Sequence, residues 1–193
     1  MKRKRKKGLV KTIIFAAVAL CAVVAVIAYI WRSSLVRQYP LKYEEQVIRY
    51  SVEFELDPHI VYSLIKVESA FKWDAVSVKG AVGLMQLMPA TAEEMARELG
   101  IEDYDQSRLI DPEINIRLGC MYLKQQQERF GDVSCAVAAY NAGPNKVGEW
   151  LKSPSYSADG KTLTHIPYKE TRLYVEKVLN YYEMYNRIYG RNP

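Results

Sequence analysis

The run TIIFAAVALCAVVAVIAYIW, residues 12–31, passes twenty residues without a charged side chain, and it constrains this chain more than any other feature. As an α-helix at ~1.5 Å per residue it spans about 30 Å, the hydrocarbon thickness of a bilayer. Helices buried in soluble cores rarely lack polar residues so completely. A cleaved export signal would carry a shorter apolar core of ~7–15 residues, followed by a small-x-small site. Here Ala17-Val18-Ala19 falls inside the run, and Ala28-Tyr29-Ile30-Trp31 closes it without such a site. Leu20 before Cys21 is too bulky for the usual lipidation signal. The run is therefore expected to be an uncleaved transmembrane helix. Residues 1–11 carry seven Lys or Arg and no acid. The positive-inside tendency makes them a cytoplasmic basic tail and sends everything after Trp31 outside.

That tail also accounts for the net charge of +5. From Trp31 onward there are 20 Lys or Arg against 22 Asp or Glu, a net charge of −2. A nucleic-acid binder carries its positive charge on the folded domain, so that class is excluded. Disulfides are permitted outside the cytoplasm. Cys120 and Cys135, however, lie at unequal distances from the expected helix turn at Gly131-Asp132. The resulting axial offset of roughly 12 Å is too great for a bridge. Both are expected as small buried thiols, unpaired.

Residues 32–42 read as a juxtamembrane linker and 43–193 as one helical domain. Its first helix covers about Tyr43 to Phe54. Asp57-Pro58 supplies an N-cap and an N1 proline for a helix bearing Ile60, Val61, Leu64, Ile65 and Glu68. Thr91 and Glu94 resemble a capping box before a helix to Leu99 that Gly100 ends. Asp111-Pro112 opens a long helix through Phe130, Asp132 opens the next, and Gly143-Pro144 stops it. A final helix runs from about Tyr168 to Ile188, with Val175, Val178, Leu179 and Tyr182 at the 3.6-residue period. With little β-alternation, the fold class is all-α.

Glu68 follows Val61, Leu64 and Ile65 by seven, four and three positions, so the four share one helix face. A carboxylate in an apolar stripe breaks the binary pattern, and such breaks concentrate at functional sites. Desolvation there keeps a proton on the acid near neutrality, as a general acid requires. From this helix alone a structural glutamate paired with Lys or Arg reads equally well. The segment from about Asp74 to Ala90 has no helical repeat and far exceeds the usual ~4–6-residue connection. Gly80 and Gly83 allow left-handed backbone, while Leu84, Met85, Leu87 and Met88 give the loop a buried anchor. Gln86 interrupts that anchor with an amide suited to a hydroxyl-rich ligand such as a sugar. The plainer alternative is a packed Ω-loop.

Four motifs in order carry a resemblance: Glu68-Ser69; Gly83-Leu84-Met85-Gln86 with Met88-Pro89 and Thr91-Ala92; Ala139-Tyr140-Asn141-Ala142-Gly143; and Glu170-Thr171 with Tyr174-Val175. Over roughly Tyr43 to Tyr189 the chain resembles the lytic transglycosylases of the soluble-type (SLT) catalytic domain. The resemblance implies a lysozyme-like, goose-type helical domain acting on peptidoglycan. It makes Glu68 the single catalytic acid/base. Ser77 corresponds to the family's serine near that carboxylate and the substrate N-acetyl group. Gln86, Met88, Tyr140 and Asn141 correspond to substrate-binding cleft residues, Tyr140 and Asn141 close to the acid, and Glu170 and Tyr174 border the cleft. On packing grounds alone Tyr140 and Tyr174 read as core aromatics. Asp74, Asp111 and Glu93 have no family role, and Asp111 reads as a cap.

Most glycosidases use two carboxylates. The family pattern has one, which implies that the substrate supplies the nucleophile. Glu68 would protonate the bond after N-acetylmuramic acid and then deprotonate the C6 hydroxyl, giving a 1,6-anhydromuramoyl end. Hydrolytic muramidase activity on the same fold, or an inactive wall-binding scaffold, are the alternatives. No cofactor is expected, and no metal, since His59 and His165 lie apart without ligand spacing. The expected partners are peptidoglycan glycan strands and the membrane, with cell-wall machinery proteins as candidates.

Overall fold

The computed structural model describes residues 2–190, with side chains from residue 14 onward. Side chains of the basic tail lie outside the described residues. The chain divides into two units, residues 1–40 and 41–193.

In the first unit, helix α1 spans Lys2–Gln38. Its stretch Ile14–Gln38 is long and apolar enough to cross a membrane. Residues 32–38, expected as linker, continue this helix. RSSLVRQ contains neither glycine nor proline, and the first residue that disfavours helix is Tyr39, ahead of Pro40.

The second unit is all-α. Its helices are α2 (Glu44–Glu53), α3 (Pro58–Glu68), α4 (Pro89–Glu98), α5 (Pro112–Phe130), α6 (Val133–Ala142), α7 (Pro144–Leu151) and α8 (Lys169–Tyr189), with a 3-10 turn at Gln106–Ile110 before α5. Among the described residues no strand forms; Val82 alone makes isolated bridges, to Val76 and to Leu87. Aspartates start three of the helices by accepting main-chain N–H bonds. Asp57 takes that of His59, Asp111 that of Glu113 and Asp132 that of Cys135. Pro58 and Pro112 occupy the first turns, where a missing N–H costs nothing. Gly131 ends α5 at φ 68°.

Two expected helix signals work differently. Thr91 lies inside α4 rather than at its cap, because Pro89 begins that helix two residues earlier and Met88 is its N-cap. Gly143-Pro144 does end α6, but Pro144 also serves as the first residue of α7. Proline is compatible with both roles, since the first turn needs no donor.

Helix α6 is the centre of the domain. Residues 135 to 140 are all buried, and α5, α7 and α8 pack around the helix. Its alanines permit this close enclosure, and Tyr140 is its largest side chain. Helix α3 packs on α8, and its partners descend along α8 from His59 to Glu68, so the two run antiparallel. His59 Nδ1 meets Asn186 Oδ1 at 2.8 Å, the rings of Tyr62 and Tyr185 stack at 5.5 Å, and Tyr174 bonds Glu68. Cys120 and Cys135 are both buried free thiols.

Candidate active site

Glu68 is the last residue of α3, half-buried, with Val61, Leu64 and Ile65 completely buried along the same stripe. The chain turns sharply after it. Ser69 caps the helix, and Ala70 and Phe71 both take positive φ, 50° and 65°. Left-handed backbone at residues carrying a Cβ costs about 1–2 kcal/mol each, and such strain clusters at functional sites. Burial pushes the Glu68 carboxyl up to about 7, while the hydrogen bond from Tyr174 acts in the opposite direction. No second carboxylate contributes to that shift. The partner expected of a structural glutamate, Lys or Arg, is replaced by a phenol: Tyr174 Oη donates to Glu68 Oε1 at 2.5 Å.

Tyr174 comes from α8 and Tyr140 from α6, and both are buried. Both phenols are held well above their ordinary range, first by desolvation and then by the charge of Glu68. The two tyrosines therefore work as neutral donors beside the acid. Tyr140 donates to the Met85 carbonyl at 3.0 Å, which ties α6 to the long loop. In this way the structure brings Glu68, Tyr140 and Tyr174 together from three helices. The alternative of inert core aromatics accounts for their burial but not for their shared acid.

The loop between α3 and α4 is folded on its own main chain. Ser77 N–H bonds the Ala81 carbonyl, Gly83 N–H that of Ala75, and Val82 and Leu87 exchange a pair of bonds. Leu84, Met85 and Leu87 are buried as expected. Met88 is not part of that anchor, being 44% exposed. It sits in extended backbone after Leu87, so its side chain points the opposite way. Gln86, at φ 49°, spends its amide nitrogen inside the loop on the Ala75 and Gly83 carbonyls. That nitrogen therefore braces the loop. The Ser77 hydroxyl accepts from Ala81 N–H at 2.9 Å. Asn141 is exposed at the end of α6, and Glu170 is exposed at the start of α8, where Lys79 from the loop reaches it at 3.7 Å. Asp111 serves as a cap. Among the described residues no group of three or more His, Cys, Asp or Glu side chains is placed to hold a metal ion. Asn115, a polar residue between Ile114 and Ile116 that the sequence reading does not single out, is fully buried against this loop.

A lone, half-buried acid that accepts one phenol hydrogen bond and lies near a second neutral phenol, at the junction of three helices, marks this all-α domain as a candidate for general acid/base chemistry. The chain belongs to the family described as Transglycosylase SLT domain, whose sequence model matches residues 45–163. It is 36% identical over 162 residues to the soluble lytic murein transglycosylase of Escherichia coli strain K12, covering 82% of this chain and 25% of that relative. It is 31% identical over 170 residues to the membrane-bound lytic murein transglycosylase C of Edwardsiella ictaluri, covering 76% of this chain and 47% of the relative. Among solved structures, an inactive mutant of the lytic transglycosylase Slt from Pseudomonas aeruginosa superposes with a TM-score of 0.72 at 37% identity, over 82% of this chain and 26% of that one. The chain thus spans about a quarter of the soluble relatives it matches. The likeness establishes the fold as the lysozyme-like helical domain expected from the motifs.

Proposed function

We propose that this domain is a peptidoglycan lytic transglycosylase that cleaves the β-1,4 bond between N-acetylmuramic acid and N-acetylglucosamine. The observation that carries the reading is Glu68, an acid titrating near neutrality without a partner carboxylate. A hydrolase needs a second carboxylate to activate water or attack the sugar. A single acid suits an intramolecular route. Glu68 protonates the glycosidic oxygen, and the substrate's N-acetyl carbonyl stabilises the developing cation. The resulting carboxylate then takes the proton of the C6 hydroxyl as that oxygen closes on C1. The bond to the leaving sugar breaks, the 1,6-anhydro bond forms, and Glu68 ends protonated again. No water is consumed.

Tyr174 supports both halves of this cycle. Its hydroxyl steadies the carboxylate after the first proton leaves and stays in place when the proton returns. Ser77, Gln86, Met88, Asn141 and Glu170 are assigned to the glycan-binding cleft, with Tyr140 and Tyr174 against the acid. The relatives' names, soluble and membrane-bound murein transglycosylases, support a wall glycan as substrate. The apolar stretch Ile14–Gln38 supports a membrane anchor, with the domain on the outer side.

The test is mass analysis of fragments released from purified cell wall in ordinary and oxygen-labelled water. The expected fragments lack a reducing end, resist borohydride and carry no label. They weigh about 18 Da less than hydrolysed ones. Reducible, labelled fragments would mean a muramidase, and no release by the wild-type chain would mean a binding scaffold.

A further inference from the structure

Asn115 stands in the first turn of α5 and is completely buried. A primary amide buried in this way has two N–H donors and a carbonyl acceptor to satisfy. All are used on main chain from other segments. Nδ2 donates to the Val82 carbonyl at 3.0 Å and to the Leu109 carbonyl at 2.9 Å, and Oδ1 accepts Met85 N–H at 2.8 Å. Val82 and Met85 bracket Gly83-Leu84, so one side chain grips this part of the loop at both ends.

Two glycines make that grip possible. A Cβ on Gly83 would stand 2.1 Å from Asn115 Nδ2 and 2.6 Å from its Cγ. A Cβ on Gly119, one turn further along α5, would stand 2.4 Å from Met85 Sδ. A Cβ at Gly83 would also stand 2.9 Å from the Leu109 carbonyl oxygen, so the loop or the amide would have to move, whereas one at Gly119 would press on the Met85 side chain. The grip then passes into the site through Met85, whose N–H is held by Asn115 and whose carbonyl receives the Tyr140 hydroxyl.

We infer that Asn115 is a positioning residue for Glu68: by clamping the Met85 main chain it fixes the acceptor that holds the Tyr140 hydroxyl, and so keeps Tyr140 packed beside the acid. The inference rests on the reading of Glu68 as the acid/base. The titratable groups facing this corner are Tyr174 from α8 and Tyr140 from α6, with Tyr122 and Cys120 of α5 next to Tyr140. Burial is what raises the Glu68 carboxyl. Releasing the loop would admit water to that corner and let the carboxyl fall toward its ordinary range.

The experiment uses the full chain in detergent micelles. Asn115→Asp keeps the shape but turns an oxygen toward the Val82 and Leu109 carbonyls; Asn115→Ala removes the clamp. Tyr140→Phe and the double variant Asn115→Ala/Tyr140→Phe complete the set. The Glu68 carboxyl is titrated by carbon-13 NMR, its signal assigned by its loss in Glu68→Gln, and wall cleavage is resolved into kcat and KM. The expected result is a Glu68 midpoint lower by about one pH unit in the Asn115 variants. A loss of ~10-fold or more in kcat at nearly constant KM accompanies it. In the Tyr140→Phe background, Asn115→Ala adds less than twofold. Folded Asn115 variants that keep the wild-type midpoint would reduce the residue to a strut and overturn the inference. Independent, multiplying effects of Asn115→Ala and Tyr140→Phe would overturn it as well. Should the clamp variants fail to fold, Tyr140→Phe decides alone: an unchanged midpoint overturns the inference and a lowered one supports it. A wild type that cleaves no wall but shows the midpoint shifts would defeat the transglycosylase reading and leave the positioning role standing.

Discussion

Tyr174 Oη donates to Glu68 Oε1 across 2.5 Å, joining the end of α3 to the early turns of α8. The bond favours the charged form of the acid, while burial disfavours it more strongly, and the balance lies at about 7. An acid balanced there can both give and retake a proton near neutral pH, and the proposed cycle needs both. The relationship gives Tyr174 a measurable effect. Tyr174→Phe removes the opposing contribution and leaves burial, so the Glu68 midpoint should rise above about 7. Since the first step needs the protonated acid, wild-type cleavage should fall as pH climbs through that midpoint. In Tyr174→Phe the fall should occur at higher pH. A pH–rate profile that shifts downward would contradict the assigned roles.

Glu68→Gln retains the volume of the side chain but cannot exchange a proton. Cleavage should drop ~10²–10⁴-fold or more. Its stability should respond to pH in a specific direction. The folded carboxyl titrates at about 7 against an ordinary value of 4.5, so the native state holds the proton more tightly than the unfolded chain. The associated stability is fully present below the unfolded value and is lost as pH rises through the folded one. The gap corresponds to on the order of 3 kcal/mol at most. Glutamine has nothing to lose, so the variant should melt increasingly above the wild type between pH 5 and pH 8. Equal melting temperatures across that range would show that Glu68 is not desolvated.

Much of this fold was legible because helix caps are local chemistry. Asp57-Pro58, Asp111-Pro112 and Asp132 each announce a helix within three residues, and each one caps as expected. Helix α7 escaped notice because PNKVGEWL is short, contains Gly148 and lacks a polar cap, while its proline reads equally as a stop. Glu68 stood out as an acid in an apolar stripe. Its partner Tyr174 lies 106 residues away, and no periodicity connects them; only the motif resemblance did. A sequence cannot reveal that the loop's own carbonyls hold the amide nitrogen of Gln86. Asn115 was hidden for the same reason. Its importance lies in three main-chain partners, two of which belong to the long loop.

The close approach of Gly83 and Asn115 predicts different costs for two glycines of similar backbone. Gly83 and Gly131 have φ of 83° and 68°, but a Cβ on Gly131 would meet nothing within 4 Å. Gly131→Ala should therefore cost only the conformational strain, about 1–2 kcal/mol. Gly83→Ala adds a collision with a buried amide whose hydrogen bonds prevent it from yielding. It should cost about 2–5 kcal/mol and lower wall cleavage as well. Denaturant unfolding of both variants gives the comparison, and equal losses would mean that the Asn115 clamp is soft.

The exposed apolar surface of α1 predicts membrane attachment and its direction. Phe15, Val18, Ile27, Tyr29 and Trp31 are all more than half exposed along one helix. Leaving that surface in water costs roughly 25 cal/mol per Å², which a bilayer removes. Tyr29 and Trp31 stand together near the C-terminal end of the charge-free run, and aromatic rings settle at the headgroup level. By the positive-inside tendency the lysine-rich tail is expected to hold the other end in the cytoplasm. The full chain should therefore partition with membranes and resist extraction by salt. Protease at the outer face should digest the domain, whereas protease at the cytoplasmic face should reach only the basic tail. Recovery of mature soluble protein beginning near residue 30 would instead make the segment a cleaved signal. Protection of the domain from outside would reverse the orientation, and with it the access to wall glycan on which the proposed activity depends.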